Sequence, residues 1–325
     1  MSAPRSLGVV GLGLIGGSIA RRAVAQGVRV HAWNPSTDVL DAAAAHGIEP
    51  AGSIAELCER GPDVLVLATP LRAMAQVVAE VAARLLPGTV LTDVGSVKGP
   101  ISELVAAAGV AGQFVGAHPM AGTERSGYAA ADPGLLEAAR WALAVEPTTA
   151  PEHLVRIVAL VTDVLGGVVL PVDPEVHDEA VALVSHLPHV VATELLNLVG
   201  RSRVRSLALN LAAGSFRDGT RVGGTNPRRT EAMVAENPWL VPALRLAVRD
   251  LERLADELEE TGAAPAFFDQ ATAVADPASR RTTPDAEPGS VPLEGAWREA
   301  LVAAGLRGAL VTGVSADGTA LLTAG

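Results

Sequence analysis

Five short stretches of this 325-residue chain hold residue types whose order suggests chemistry. The first, Gly11-Leu-Gly13-Leu-Ile-Gly16, follows a β-branched run and precedes an Ala-rich helical pattern. In that setting Gly11 permits a tight turn, Gly13 lets a pyrophosphate approach the backbone, and Gly16 lets helix pack on strand. The helix end that follows offers N–H groups to phosphate. The spacing predicts a bound dinucleotide; the alternative is a glycine-rich turn that binds nothing. The residue that would choose between NAD and NADP lies at the end of the second strand, in Trp33-Asn34-Pro35. An acid there would hold the ribose 2′-OH and repel a 2′-phosphate. Asn34 bonds a ribose without that repulsion, and Pro35 stands where an arginine could welcome phosphate. The balance leans to NAD and leaves NADP open.

The second stretch, Asp93-Val-Gly95-Ser96-Val-Lys98, leaves the fourth strand at its carboxyl end, where open α/β sheets bind ligands. Lys98 is the only lysine in a chain that otherwise uses arginine. Either its compact ammonium is required, or one lysine escaped a compositional drift. The third, Gly116-Ala-His118-Pro-Met-Ala-Gly122-Thr123-Glu124-Arg-Ser-Gly127, puts a histidine at the end of the next strand, on the same rim. Lone histidines are usually structural, but one followed by proline and close glycines packs less readily. The fourth, Ser185-His186-Leu-Pro188-His189, interrupts a helical pattern with two histidines three apart on one face. A metal pair, a substrate-pocket histidine and a satisfied core histidine are the readings. No acid stands at a matching step to complete a ligand set, so no metal is expected. The fifth, Gly214-Ser-Phe216-Arg217-Asp218-Gly-Thr220-Arg221, reads as a polar loop between helices. Its arginines are either solvated or suited by their planar fork to a carboxylate.

Alternating strand and helix patterns must position these stretches. Strands are expected at Leu7–Gly11, Val28–Trp33, Val64–Ala68, Val90–Asp93, Phe114–Ala117, Trp141–Glu146 and Val168–Val172, with helices at Gly16–Gln26, Thr37–His46, Leu71–Leu85, Lys98–Ala108 and Pro151–Leu165. That alternation gives a doubly wound α/β domain over residues 1–173, followed by an all-α domain over 174–275. Across Pro238–Glu259, Leu240, Leu244, Ala247, Leu251, Leu254 and Leu258 recur at helical steps. The stripe reads first as core and second as a subunit interface, and a homodimer would share such faces. Residues 276–325 read as a linker, Asp276–Pro292, and a short appendage: a helix near Trp297–Ala304 and two strands, Ala309–Gly313 and Thr319–Leu322, turning at Ala316-Asp317-Gly318. The appendage is too short for a complete regulatory domain.

Composition narrows the partners. Apolar residues make up 49% of the chain, enough for a sizeable core, and the net charge is −11 without a basic block. That argues against nucleic acid or an anionic membrane surface and favours small molecules. A single cysteine, Cys58, allows no intrachain disulfide or cysteine-based zinc site and suits the cytoplasm. Arg5 and the apolar run Leu7–Ala20 mimic a signal peptide, but glycines at fixed offsets break the run and Arg21-Arg22 ends it. No stretch approaches ~18 uninterrupted apolar residues, so no membrane span is expected.

Taken in order, these motifs resemble the prephenate/arogenate dehydrogenases of tyrosine biosynthesis, from Leu7 to about Phe268. The resemblance implies a Rossmann domain followed by a helical dimerisation domain, hence a homodimer. It implies His118 as catalytic histidine and Ser96 as its partner at the substrate hydroxyl and the nicotinamide. Arg221 would bind a substrate carboxylate, with His189, Thr123, Glu124 and Asp218 lining the pocket. Gly11, Gly13, Leu14, Ile15, Gly16, Asn34, Thr69 and Ser96 would hold NAD, or NADP. The implied reaction is oxidative decarboxylation of prephenate to 4-hydroxyphenylpyruvate. Arogenate, or an amino-substituted prephenate of secondary metabolism, is the alternative substrate. Asn34 departs from the family's usual acid, and some members carry a C-terminal regulatory module that is absent here. β-Hydroxyacid dehydrogenases share the N-terminal pattern but use a lysine in the helical domain, where this chain has none.

Overall fold

The computed structural model describes residues 3–123, 125–275 and 289–324. They fall into two compact units, Met1–His177 with Pro277–Gly325, and Asp178–Asp276.

The first unit is built on a parallel six-stranded sheet. Its strands are β1 (Ser6–Val10), β2 (Arg29–Trp33), β3 (Glu49–Pro50), β4 (Val64–Leu67), β5 (Val90–Asp93) and β6 (Phe114–Val115), in the order β3-β2-β1-β4-β5-β6. Between them run α1 (Leu14–Ala25), α2 (Thr37–Ala44), α3 (Ile54–Glu59), α4 (Leu71–Ala82) and α5 (Gly99–Ala107). All residues of β4 and β5 are buried, and β4 accordingly reads as an unbroken apolar run rather than an alternation, while β5 ends in the buried polar pair Thr92 and Asp93. The order reverses beside β1, so β1 and β4 diverge at their carboxyl ends into a crevice.

The expected strand Phe114–Ala117 is two strands in two sheets. The chain leaves the first sheet at Gly116, whose carbonyl accepts the Ala144 N–H at 2.8 Å. A Cβ on Gly116 would lie 3.3 Å from that of Ala144, so the crossing is tight. β7 (Ala117–Pro119) then pairs antiparallel with β8 (Arg140–Ala144), and β8 pairs parallel with β9 (Val168–Val172) across α6 (Pro151–Ala159). Only six of the strands therefore form the Rossmann-like sheet. The tail completes the second: β10 (Gly289–Pro292), β11 (Ala309–Val314) and β12 (Thr319–Ala324) give the order β10-β12-β11-β9-β8-β7. Gly289–Pro292 is thus a strand where a linker was expected, while residues 276–288 of that linker lie outside the described residues. Nor is the tail loosely appended. Trp297 and Leu301 of its helix (Trp297–Leu306) are buried in the main core, and Gly305 approaches the Pro171 carbonyl so closely that no Cβ would fit.

The second unit is helical. The chain enters through α7 (Pro174–Val181), a π-helical turn (Ala182–His186) and α8 (Leu187–Arg201), a continuous run over Pro174–Arg201. Pro188 does not interrupt it, contrary to the sequence expectation. It sits in the first turn of α8, and the wider turn before it absorbs the lost N–H. α9 (Arg205–Leu211), α10 (Gly214–Thr220), α11 (Pro227–Ala235), α12 (Leu240–Thr261), α13 (Pro265–Gln270) and α14 (Thr272–Ala275) follow. The expected polar loop at Gly214–Arg221 is therefore a helix. α12 ends at Gly262 in the left-handed conformation (φ +72°) that closes many helices. Its stripe is not core within this chain: Leu240 is buried, but Leu251 is 56% exposed and Leu258 is exposed.

The run Pro174–Arg201 reaches a mean hydropathy of 1.3 over 18 residues, enough by length and composition to cross a bilayer. Its polar positions are built into the helical unit instead. The Asn237 amide donates to the Asp178 carbonyl at 2.8 Å and lies 3.0 Å from Nδ1 of the buried His186.

Candidate active site

The cofactor cradle follows from local backbone needs. Gly11 turns the chain at φ +96°, and a side chain there would meet the Ala68 carbonyl oxygen at 2.7 Å. Gly16 passes so close to the Gly11 carbonyl that a Cβ would stand 2.1 Å from its oxygen. Gly13 is different. Nothing lies within 4 Å of the place its Cβ would take, and as N-cap of α1 it brings no side chain to the helix end. That open space beside a helix N-terminus suits a pyrophosphate, so the residues present fit a dinucleotide. Leu14 is buried and Ile15 packs on the core, both opening α1. Thr69, after β4, places its methyl beside Gly11. Asn34, after β2, accepts the Leu12 N–H on Oδ1 at 3.1 Å.

Beyond β5 a buried charge pair braces the rim. Lys98, 1% exposed, donates from Nζ to Oδ2 of Asp93 and, at 2.7 Å, to the Ala117 carbonyl. Asp93 also accepts the N–H of Gly95 (2.7 Å) and of Ala117 (3.2 Å). Burial pushes the Asp93 carboxyl up, while the Lys98 ammonium and the two N–H donors pull it back. One carboxylate thus grips the neighbours of both Ser96 and His118. The loop is tight at Gly95, where a Cβ would stand 2.5 Å from the end of the Ile101 side chain and 2.9 Å from Oδ2 of Asp93. The lone lysine is therefore structural.

Alternation along β7 buries Ala117 and Pro119 and turns His118 to the other face, half-buried. Nδ1 of His118 lies 3.0 Å from Nε2 of His177, with the two rings edge to face. His177 was missed in the sequence reading. Its signal was Asp173-Pro174 at a strand end, which announces a helix start one turn before the histidine.

Among the expected substrate residues, His189, Asp218 and Arg221 share a concave pocket of about 480 Å³ in the helical unit, together with Ser185 and Pro188. His189 donates from Nδ1 to the Val222 carbonyl (3.0 Å), which leaves Nε2 as an acceptor. His186 does not join it. It is fully buried against Asn237, so the two histidines have separate partners, and no group of three or more metal-ligating residues occurs among the described residues. Thr123 stands in the exposed loop after β7, accepting the Arg125 N–H, and Glu124 lies outside the described residues.

Two family profiles match consecutive parts of the chain. "Prephenate dehydrogenase, nucleotide-binding domain" covers residues 19–170 and "Prephenate dehydrogenase, dimerization domain" covers 173–270. A cyclohexadienyl dehydrogenase of Zymomonas mobilis is 33% identical over 260 residues, 78% of this chain and 88% of that protein. A Corynebacterium glutamicum structure described provisionally as a prephenate dehydrogenase superposes with TM-score 0.83 at 30% identity, over 94% of this chain and 98% of its own. The prephenate dehydrogenase of Aquifex aeolicus, solved with hydroxyphenyl propionate and NAD⁺, gives TM-score 0.74 at 28% identity, over 83% of this chain and 96% of its own. The ordered motifs, the cradle at Gly13 and these matches together place the chain in the prephenate dehydrogenase family, as a dehydrogenase built to bind a nicotinamide cofactor.

Proposed function

We propose that this chain oxidises and decarboxylates prephenate to 4-hydroxyphenylpyruvate with NAD, in tyrosine biosynthesis, as a cytoplasmic homodimer joined through its helical unit. The observation that carries the reading is His118, half-buried on β7 with one ring nitrogen engaged and braced through Ala117 by the Asp93–Lys98 pair. Bound nicotinamide supplies the acceptor for the hydride leaving C4 of the ring. His118 takes the hydroxyl proton as that oxygen becomes a carbonyl, within the usual scope of general-base catalysis. Ser96, in the Gly95-gripped loop, orients the hydroxyl. The ring carboxylate then leaves as CO₂, its electron pair aromatises the ring, and the phenolate oxygen so formed regains the proton from His118, so neither a metal nor a covalent intermediate is called for. Arg221 binds a carboxylate of the dianionic substrate, and His189, Thr123, Glu124 and Asp218 line the pocket. Asn34 offers an amide to the ribose 2′-OH, in keeping with NAD. The exposed apolar faces of α8, α9 and α12 support the dimer.

The test is product identification. Prephenate and NAD incubated with the protein should yield 4-hydroxyphenylpyruvate, CO₂ and NADH in equal amounts. Reduction of NAD without CO₂ release, or no reduction at all, would reject the assignment.

A further inference from the structure

The reaction as proposed leaves one buried histidine without a task. His177 is 4% exposed, and its Nε2 lies 3.0 Å from Nδ1 of His118. The ring planes stand 78° apart with centroids at 5.2 Å, so a nitrogen at the edge of one ring meets the other. The placement is fixed from the backbone. The Asp173 carboxylate, directly after β9, accepts the N–H groups of Glu175 and Val176, and its carbonyl accepts that of His177 at 2.9 Å. β9 pairs with β8 and β8 with β7, so neighbouring strands of one sheet set the distance between the two rings.

A hydrogen bond between two uncharged imidazoles needs one N–H and one lone pair, so it fixes the tautomer of both rings. If Nε2–H of His177 donates, His118 carries its own proton on Nε2 and cannot accept another. If Nδ1–H of His118 donates, its Nε2 is unprotonated and presents a lone pair. Only the second arrangement makes Nε2 a base, and it survives the reaction, because the imidazolium formed still donates from Nδ1.

We propose that His177 is a positioning residue that holds His118 in the Nδ1–H tautomer, so that Nε2 carries the lone pair that takes the substrate proton. The choice of tautomer rests on the proposed function, which needs Nε2 as base, but it can be read without turnover.

¹⁵N NMR of the histidine rings in the full-length protein, with and without NAD, separates the two. The His118 signals, identified by their loss in His118→Asn, should show a protonated Nδ1 and an unprotonated Nε2 near neutral pH. His177→Gln, whose amide oxygen replaces the acceptor, should keep that pattern, and His177→Leu should give mixed tautomers. In parallel, His177→Leu should lower kcat by about 10–100-fold with substrate and cofactor KM nearly unchanged, while His177→Gln recovers most of the rate. A wild-type His118 protonated on Nε2, or a His177→Leu variant with full kcat, would overturn the proposal. So would a folded His177→Gln variant as slow as His177→Leu. If the tautomer is found but prephenate is not oxidised, the assigned reaction fails and the positioning stands.

Discussion

In the α/β unit a lysine, an aspartate and a histidine are almost fully buried, each with a partner in the same unit, whereas the helical unit leaves Leu207, Leu211, Leu251 and Phe268 more than half exposed. The first arrangement is self-sufficient. Costly buried charges persist there because Asp93 and Lys98 pair with each other and with the backbone groups beside them, and the reward is a braced rim. The second is incomplete as a single chain. Its helices leave apolar stripes exposed in the single chain, in keeping with the match to a dimerisation domain. On the proposed function the two units divide the work, with chemistry on the first and assembly and carboxylate recognition on the second.

The largest effect is expected at the rim. His118→Asn should lower kcat by about 10²–10⁴ while substrate KM changes little, because the imidazole is needed only as the proton moves. A variant with near-normal kcat would remove the base and with it the chemical half of the comparison. Next comes the brace. Lys98→Met leaves Asp93 buried without its counterion and should cost about 3–5 kcal/mol in urea-unfolding stability. Adding Asp93→Asn should return part of that loss. Stability unchanged by Lys98→Met would mean that the pair is not holding the rim.

Arg221 probes the helical unit. Arg221→Ala should raise substrate KM with a loss of about 2–4 kcal/mol in kcat/KM, and Arg221→Lys should already weaken substrate use, since lysine lacks the planar fork. Cofactor KM should stay put. If neither variant moves substrate KM beyond about twofold, Arg221 is a solvated residue of the kind whose ion pairs are worth little. The smallest change in chemistry is expected from the apolar faces. Leu207→Glu with Leu251→Glu should turn a dimer into a monomer by light scattering, with cofactor binding retained. Leu86→Glu, at a leucine of the α/β unit that is 42% exposed, should leave the assembly as it was. Dissociation by Leu86→Glu, or a dimer that survives the double substitution, would break the contrast between the units.

Much of this was legible in the residues. The Gly11–Gly16 spacing, the Asp93–Lys98 loop and His118 each rest on local backbone needs, and such needs are written in sequence. The α/β fold of the first unit was legible because its strands and helices alternate. What sequence did not reveal is tertiary. Gly116 moves the chain from one sheet to another only because the Ala144 N–H is there to pair with it. Pro188 reads as a break, yet the turn upstream accommodates it. The α12 stripe has the same periodicity whether a core or a second chain covers it, so only exposure could distinguish them. His177 went unnoticed because its meaning lies in a partner 59 residues away. Lys98 stood out as the only lysine, but its role required seeing the closed slot around it.

The account's central claim is the reaction, and kcat/KM for prephenate and for arogenate, each with NAD and with NADP, tests it most directly. The prediction is that prephenate with NAD is highest, and that Asn34→Asp widens the preference for NAD by repelling a 2′-phosphate. A higher kcat/KM with arogenate or with NADP would contradict the assignment of substrate or cofactor, and turnover with none of the four pairs would contradict the reaction itself.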